Sequence, residues 1–274
     1  MILKNIFKIL AFLFVFSSVL SVEIYPQSKE SNIFRIIGRD FTESFNDGIS
    51  VFTAPFRFSG SDWIKTGGTL AVTGAFMPFD GDIRKEFLKG HNNTKDKIAD
   101  AGNFYGNALV PLVFGAGVYS GGLFLKDEYT RVTGRMIIEA VTFSGIITDV
   151  SKVVIGRSRP YSERGPDFYK LLSFKESYFS LPSGHATTAF AVSSVLSNRI
   201  NNVYVSIGLY SISTLTALSR IYSDKHWASD VVLGSAIGYF VGNYISSDKP
   251  KIISKKTTLK LFPSTGGIVM QICF

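Results

Sequence analysis

The chain has 274 residues, with 29 Lys and Arg against 21 Asp and Glu, for a formal net charge of +8. That balance favours anionic partners such as phosphate esters, acidic lipid headgroups or nucleic acid. The absence of dense Lys/Arg runs interleaved with aromatics excludes nucleic acid first. Cys273 is the single cysteine, which excludes a disulfide framework and a thiolate metal site. Charged residues make up only 18% and there are 24 Phe and 12 Tyr, so one sizeable apolar core is within reach. Mean hydropathy of +0.21 lies between a soluble enzyme and a fully embedded membrane protein and does not separate them.

Lys4 and Lys8 precede the apolar run Ile9 to Leu20, and Val19-Leu20-Ser21 offers small residues for cleavage. This is the shape of a signal peptide over 1–21, with an uncleaved anchor as the alternative; either predicts export to the cell envelope. In the leader 22–61, Ile33, Phe34, Ile36, Ile37, Phe41 and Phe45 fall at roughly helical spacing and predict an amphipathic helix. Pro55 and Ser59-Gly60-Ser61 should end it, with Asp62 as a candidate N-cap for the next.

Residues 62–248 read as an all-α helical bundle. The run Trp63 to Phe79 is cut short by Pro78 and by Asp80-Gly81-Asp82, whose paired aspartates are expected in a solvated turn. His91 lies in a polar connection and is expected at the surface. Ala101 to Leu125 carries no formal charge over 25 residues, long enough to cross a bilayer. Arg131 to Val154 is a helix interrupted by Glu139 and Asp149, followed by a polar loop, Gly156 to Leu181. Three more helices follow: Gly184 to Asn198, Val203 to Leu218 and Val231 to Ile245. Gly234, Gly238 and Gly242 make one smooth face on the last, at about 1 kcal/mol each relative to alanine, and so predict a closely packed neighbour. In the basic tail 249–274, Lys251, Lys255 and Lys256 precede two strand-like runs, Thr257 to Phe262 and Ile268 to Phe274. Pro263-Ser264-Thr265-Gly266-Gly267 between them predicts a β-hairpin.

Three clusters carry chemistry. In Ser219-Arg220 through His226 to Asp230, the spacing of His226 and Asp230 places both on one helix face. The carboxylate can then fix the ring tautomer and leave the far nitrogen free as base or nucleophile. Arg220 adds a planar cationic fork suited to phosphate oxygens. In Lys152-Val153-Val154-Ile155-Gly156-Arg157-Ser158-Arg159-Pro160, Lys152 and Arg159 flank a helix exit and can converge on one anion, although a segment of this kind taken alone is more often a helix C-cap. In Pro182-Ser183-Gly184-His185, Ser183 is a natural N-cap and Gly184 lets an anion approach the free backbone N–H groups. A Ser183–His185 hydrolase pair is disfavoured, since residues two apart on a helix do not face each other and no Gly-x-Ser-x-Gly elbow is present. Each cluster sits where a helix meets a loop, and alternate ends of an up-down bundle share one face, so all three can converge. No carboxylate cluster or HExxH motif accompanies them.

Lys-x6-Arg-Pro, Pro-Ser-Gly-His and Ser-Arg-x5-His-x3-Asp, in that order from Lys152 to Asp230, resemble the tripartite signature of the type 2 phosphatidic acid phosphatase superfamily. That superfamily includes bacterial non-specific acid phosphatases, lipid phosphate phosphatases and vanadium haloperoxidases. The resemblance implies a helical bundle and a metal-free, cofactor-free phosphoryl transfer, with vanadate as a phosphate mimic. It implies His226 as nucleophile, Asp230 as its orienting carboxylate and His185 as the acid that protonates the leaving alcohol and then activates water. Lys152, Arg159, Ser183, Gly184 and Arg220 would hold the phosphoryl oxygens. The substrate expected is a lipid phosphate or diphosphate at a membrane, or a small phosphate ester if the protein is a soluble periplasmic acid phosphatase. Lipid phosphotransfer, a haloperoxidase and a non-catalytic phosphate- or lipid-binding protein are the alternatives. In a bilayer, with the signal cleaved and Trp63–Phe79 not crossing, Ala101–Leu125 enters and Arg131–Val154 returns, so the site faces outside while Lys126, Arg131, Arg199 and the lysine-rich tail lie inside; if Trp63–Phe79 crosses, the site faces the cytoplasm unless the signal is retained as an anchor.

Overall fold

The computed structural model describes residues 32–247, together with the strand backbones 258–264 and 267–273. The expected signal peptide, the start of the leader and the tail lysines lie outside the described residues.

The described body is all-α. Its helices are α1 (Ile33–Thr53), α2 (Gly60–Phe76), α3 (Asp80–Lys89), α4 (Asn93–Tyr105), α5 (Leu109–Phe124), α6 (Glu128–Ile155), α7 (Gly184–Ile200), α8 (Val203–Tyr222) and α9 (Ala228–Ser247). Beyond it, β1 (Thr258–Ser264) and β2 (Gly267–Cys273) pair antiparallel, with Thr258 opposite Cys273.

Local chemistry sets the helix ends. Asn32 caps α1 by accepting from Phe34 N. Ser59, not Asp62, is the N-cap of α2; Asp62 is the reciprocal partner of a capping box. Asp127 caps α6, which ends at Gly156 in the left-handed region (φ 61°). A Cβ at Gly156 would lie 1.7 Å from the Lys170 carbonyl oxygen, so only glycine permits the reversal that brings the following arginines back toward the bundle.

Two further expectations are corrected. The apolar run Ala101 to Leu125 is not one helix: it breaks between Tyr105 and Leu109, and α4 and α5 are bent by 50°. At the break, a Cβ on Gly106 would lie 2.4 Å from the Thr216 methyl and 2.8 Å from the His185 carbonyl oxygen, so the chain turns where it passes tightly against α8 and the start of α7. By length and hydropathy no single described helix suffices to cross a membrane, whereas the bent pair α4–α5 does when taken together. The second correction concerns Asp80-Gly81-Asp82, which is no solvated turn. Asp80 opens α3 and is fully buried.

The core lies between α5, α6, α7 and α9. Met136, Ile137, Ala140, Ala191, Val195 and Ile245 pack there, almost without exposure. The glycine face of α9 meets α7, as its spacing predicts. Added Cβ atoms at Gly234, Gly238 and Gly242 would lie 2.4, 2.1 and 2.5 Å from the carbonyl oxygens of Ser183, Thr187 and Ala191. This backbone-to-backbone contact fixes the start of α7 against the start of α9, and so fixes one end of the bundle.

The polarity of α1 is reversed relative to a soluble surface helix. Its Asp40 is buried and ion-paired with Arg131 of α6, and Ser44 donates to the buried Glu139 at 2.6 Å. Phe34, Phe41 and Phe45 point outward, 82, 73 and 62% exposed.

Candidate active site

The C-terminal ends of α6 and α8 and the N-terminal ends of α7 and α9 meet at the same end of the bundle, and all three clusters come together there. Ser183 N donates to the Asp230 carbonyl oxygen at 3.0 Å, joining the second cluster to the third. Lys152 lies against Gly184: a Cβ there would be 3.0 Å from its Nζ. The charges of Arg220, Lys152 and Arg159 all bear on His185. Each predicted site residue is therefore in the assembly.

His226 is buried, in the turn before α9 rather than on it. It and Asp230 do not share a helix face, because α9 starts only at Ala228 and Asp230 Oδ2 accepts from Trp227 N at 2.9 Å. The ring nitrogen Nδ1 instead donates to the main-chain oxygen of Ser180 at 2.7 Å, while Asp230 Oδ2 stands 3.7 Å away. A carbonyl oxygen can only accept, so Nδ1 carries the proton and Nε2 keeps its lone pair. Asp230 acts on the ring through charge. Burial is the main force pulling the His226 pKa down, to about 4; Asp230 opposes it and the Arg220 and Arg159 charges add to it. The ring is thus neutral, with a free Nε2, over most of the pH range.

Asp230 is fully buried. Burial disfavours its charge, but His226, the Arg157 cation and the Ser180 hydroxyl outweigh that and hold its carboxyl below the ordinary carboxylate value. His185, the second residue of α7, is pushed down to about 3 by burial first and then by the Arg220, Lys152 and Arg159 charges. Arg220 itself is lowered to about 10 by burial and by the nearby Arg159.

Ser183 occupies the N-cap position of α7, yet its side chain makes no capping hydrogen bond. Its Oγ is one of three buried donors here with no protein partner; the others are Arg159 Nε and Arg220 Nε. An unmade buried hydrogen bond costs about 1–3 kcal/mol. Three of them, on three residues from separate clusters, describe a cradle shaped for an oxyanion. Lys152 pairs with Asp149 at 3.1 Å and Arg159 with Glu176 at 3.3 Å.

Several residues that hold this geometry carry no signature. Asn103 of α4 accepts from Arg220 Nη1 at 2.6 Å and from Ser219 Oγ at 3.1 Å. Arg157, fully buried, donates to Asp230 Oδ1 at 2.6 Å and to Asp80 Oδ2 at 2.8 Å. Arg157 lay in plain view beside Arg159, but nothing in its sequence neighbourhood separates a buried cation from a solvated one. His91, 45% exposed at its side chain, stacks on Tyr222 at 4.0 Å, as expected of a surface histidine. An open apolar groove of about 460 Å³ between α1, α2, α6 and α9 contains none of the site residues.

Comparison with known proteins bears on this end of the bundle. Residues 134–253 match the model of the PAP2 superfamily. A lipid A 1-phosphatase of Porphyromonas gingivalis is 30% identical over 168 residues, covering 60% of this chain and 33% of that protein. An undecaprenyl-diphosphatase of Sulfolobus acidocaldarius is 28% identical over 119 residues, 43% of this chain and 56% of that protein. The chain spans about a third to just over half of the length of these relatives. Among solved structures, a transmembrane PAP2-type phosphatidylglycerolphosphate phosphatase of Bacillus subtilis superposes with a TM-score of 0.56 at 20% identity. The match covers 70% of this chain and 97% of that one, and shows a shared fold.

Proposed function

We propose that the chain, whose residues 134–253 match the PAP2 superfamily, is a metal-independent phosphatase acting on lipid phosphates or diphosphates in the cell envelope. The observation that carries the reading is the set of orphaned donors, Arg159 Nε, Ser183 Oγ and Arg220 Nε, between a neutral His226 and His185. In the first step His226 Nε2 attacks phosphorus and the bond from phosphorus to the leaving oxygen breaks, with His185 giving that oxygen its proton. In the second step His185 takes a proton from water, the water oxygen attacks phosphorus, and the phosphorus–nitrogen bond breaks. Charge on the transferring group spreads over its equatorial oxygens, where Lys152, Arg159, Arg220, Ser183 and the Gly184 N–H hold it. Acid catalysis by His185 contributes roughly 10²–10⁴-fold.

Protein cations supply the charge stabilisation that a metal gives elsewhere. Among the described residues no group of three or more His, Cys, Asp or Glu side chains could hold a metal ion, and the EDTA arm of the assay below tests whether the reaction needs one. The outward phenylalanines of α1, set over an inward ion cluster, favour a bilayer-associated protein and hence a lipid substrate. The relatives named above are a lipid A phosphatase and a polyprenyl diphosphatase, which favours the same substrate class. The test is phosphate release, with EDTA present, from phosphatidic acid, phosphatidylglycerophosphate, undecaprenyl diphosphate, lipid A and p-nitrophenyl phosphate. Turnover of at least one lipid above p-nitrophenyl phosphate is expected. Release abolished by EDTA, or confined to the soluble ester, would contradict the reading.

A further inference from the structure

We propose that Asp80 and Arg84, on a helix that precedes the family-matched segment, are positioning residues that hold the Asp230–His226 pair in its attacking geometry. The inference rests on the phosphohistidine reading above and deepens it. The two residues lie four apart on α3, hence on one face; Asp80 grips both the first and the third signature cluster, and Arg84 joins the third cluster to the loop just beyond the first.

Asp80 is fully buried and engages a fully buried cation. Its Oδ2 accepts from Arg157 Nη2 at 2.8 Å and from Ser229 Oγ at 2.5 Å, and its Oδ1 accepts from Ser229 N at 2.9 Å. Arg157 then reaches Asp230 Oδ1 with Nη1 at 2.6 Å. The two oxygens of Asp230 are thereby divided. Oδ1 is held by Arg157, and Oδ2 is left for Ser180 Oγ, Trp227 N and the His226 ring. With Asp80 removed, Asp230 would be the only carboxylate facing the Arg157 cation, and a rearrangement toward it would draw the acid away from His226.

Arg84 acts one turn further along. Its Nε and Nη2 form a bidentate fork on Asp224 at 2.7 and 2.9 Å, and Nη2 also reaches Glu163 at 2.6 Å. Asp224 and Glu163 both have φ of 56°, a strained conformation for such residues that needs outside support. One turn lies two residues before His226, and the other lies four residues after Arg159. The Arg84 fork therefore ties the loop carrying the nucleophile to the loop carrying a phosphate ligand, and an isolated planar fork does this better than lysine can.

The experiment is a single-turnover burst on the full chain with a lipid phosphate substrate, reading burst amplitude and burst rate separately. Amplitude counts folded, competent sites; rate reports how well the nucleophile is aimed. Asp80→Asn keeps the shape and removes the charge. The expected result is a burst of wild-type amplitude whose rate falls by about 10²-fold, the effect of a misplacement near 1 Å. The Ki of inorganic phosphate should stay near wild type, because the cradle is left alone. Arg84→Gln, at a side chain 17% exposed, should slow the burst in the same way and decides the matter alone if Asp80→Asn does not fold. A reduced amplitude with an unchanged rate would mean a merely structural role and overturn the proposal, as would a wild-type rate in either folded variant. Turnover by the wild-type protein with no phosphorylated protein at any time point would overturn the phosphohistidine reading and the clamp with it. A normal wild-type burst beside unaltered variants overturns the clamp alone.

Discussion

Binding of a phosphate dianion should turn His185 from a neutral imidazole into the proton donor the reaction needs. In the free protein burial holds its pKa at about 3, with the Arg220, Lys152 and Arg159 charges adding to the effect. Bringing it to near 7 costs about 5.5 kcal/mol, at roughly 1.4 kcal/mol per pKa unit. One unit charge 4 Å away contributes about 4 kcal/mol at an effective dielectric near 20. A monoanion therefore falls short, whereas a dianion, at about 8 kcal/mol, is sufficient. It raises the His185 pKa directly and also offsets the cations that depress it. The chain has only three histidines, so ring-labelled histidine NMR can follow each, with His91→Gln and His226→Ala assigning the signals. Between pH 5 and 8, on the order of the usual histidine range, His185 should stay neutral without ligand and become protonated when phosphate saturates the site. Saturating phosphate that inhibits competitively but leaves the His185 ring neutral would refute the reasoning.

Three further outcomes follow from the same geometry. His226 must be neutral to attack, and its pKa lies at about 4. In the same NMR titration of the free protein the His226 ring should therefore stay neutral until pH falls to about 4, where protonation removes its attacking lone pair; titration near the ordinary histidine value of about 6.5 would contradict the buried, Ser180-bonded ring. Asn103→Ala removes the acceptor for Arg220 Nη1 and should raise the Ki for phosphate roughly tenfold, near the low end for a hydrogen bond to a charged group; an unchanged Ki would show that Arg220 is held by other means. Gly238→Ala places a methyl 2.1 Å from the Thr187 carbonyl oxygen and forces α7 from α9, at a cost of about 1–3 kcal/mol. Thermal melts should show a lower Tm, and an unshifted Tm would mean that the two helices can part without penalty.

Much of the site was legible in the sequence because its chemistry is scarce. Two of the three histidines, a Ser-Gly pair opening a helix, and cations at helix exits carry meaning from residue type and spacing alone. The convergence of these clusters followed from their alternation between helix ends. What escaped was the support. Asp80 is 77 residues from Arg157 and 149 from Ser229, and Asp80-Gly81-Asp82 has the composition of an ordinary turn, so nothing local marks one aspartate as buried. The group that fixes the His226 tautomer is the main-chain oxygen of Ser180, which has no side-chain signature at all. The spacing of Asp230 suits that task only if a helix runs through His226, and α9 starts two residues after it. The break at Gly106 was hidden for a related reason. The run is uniformly apolar, and the bend comes from close contact with α8 and α7 rather than from composition.

The central claim is that His226 becomes covalently phosphorylated. Rapid acid-free quenching of the protein with a ³²P-labelled lipid phosphate, followed by peptide mapping, measures this directly. The account predicts an acid-labile, base-stable label on His226 that His226→Ala abolishes and that accumulates when water attack is slowed in His185→Ala with an activated leaving group. Label that persists in His226→Ala, or turnover with no labelled protein at any time point, would contradict it.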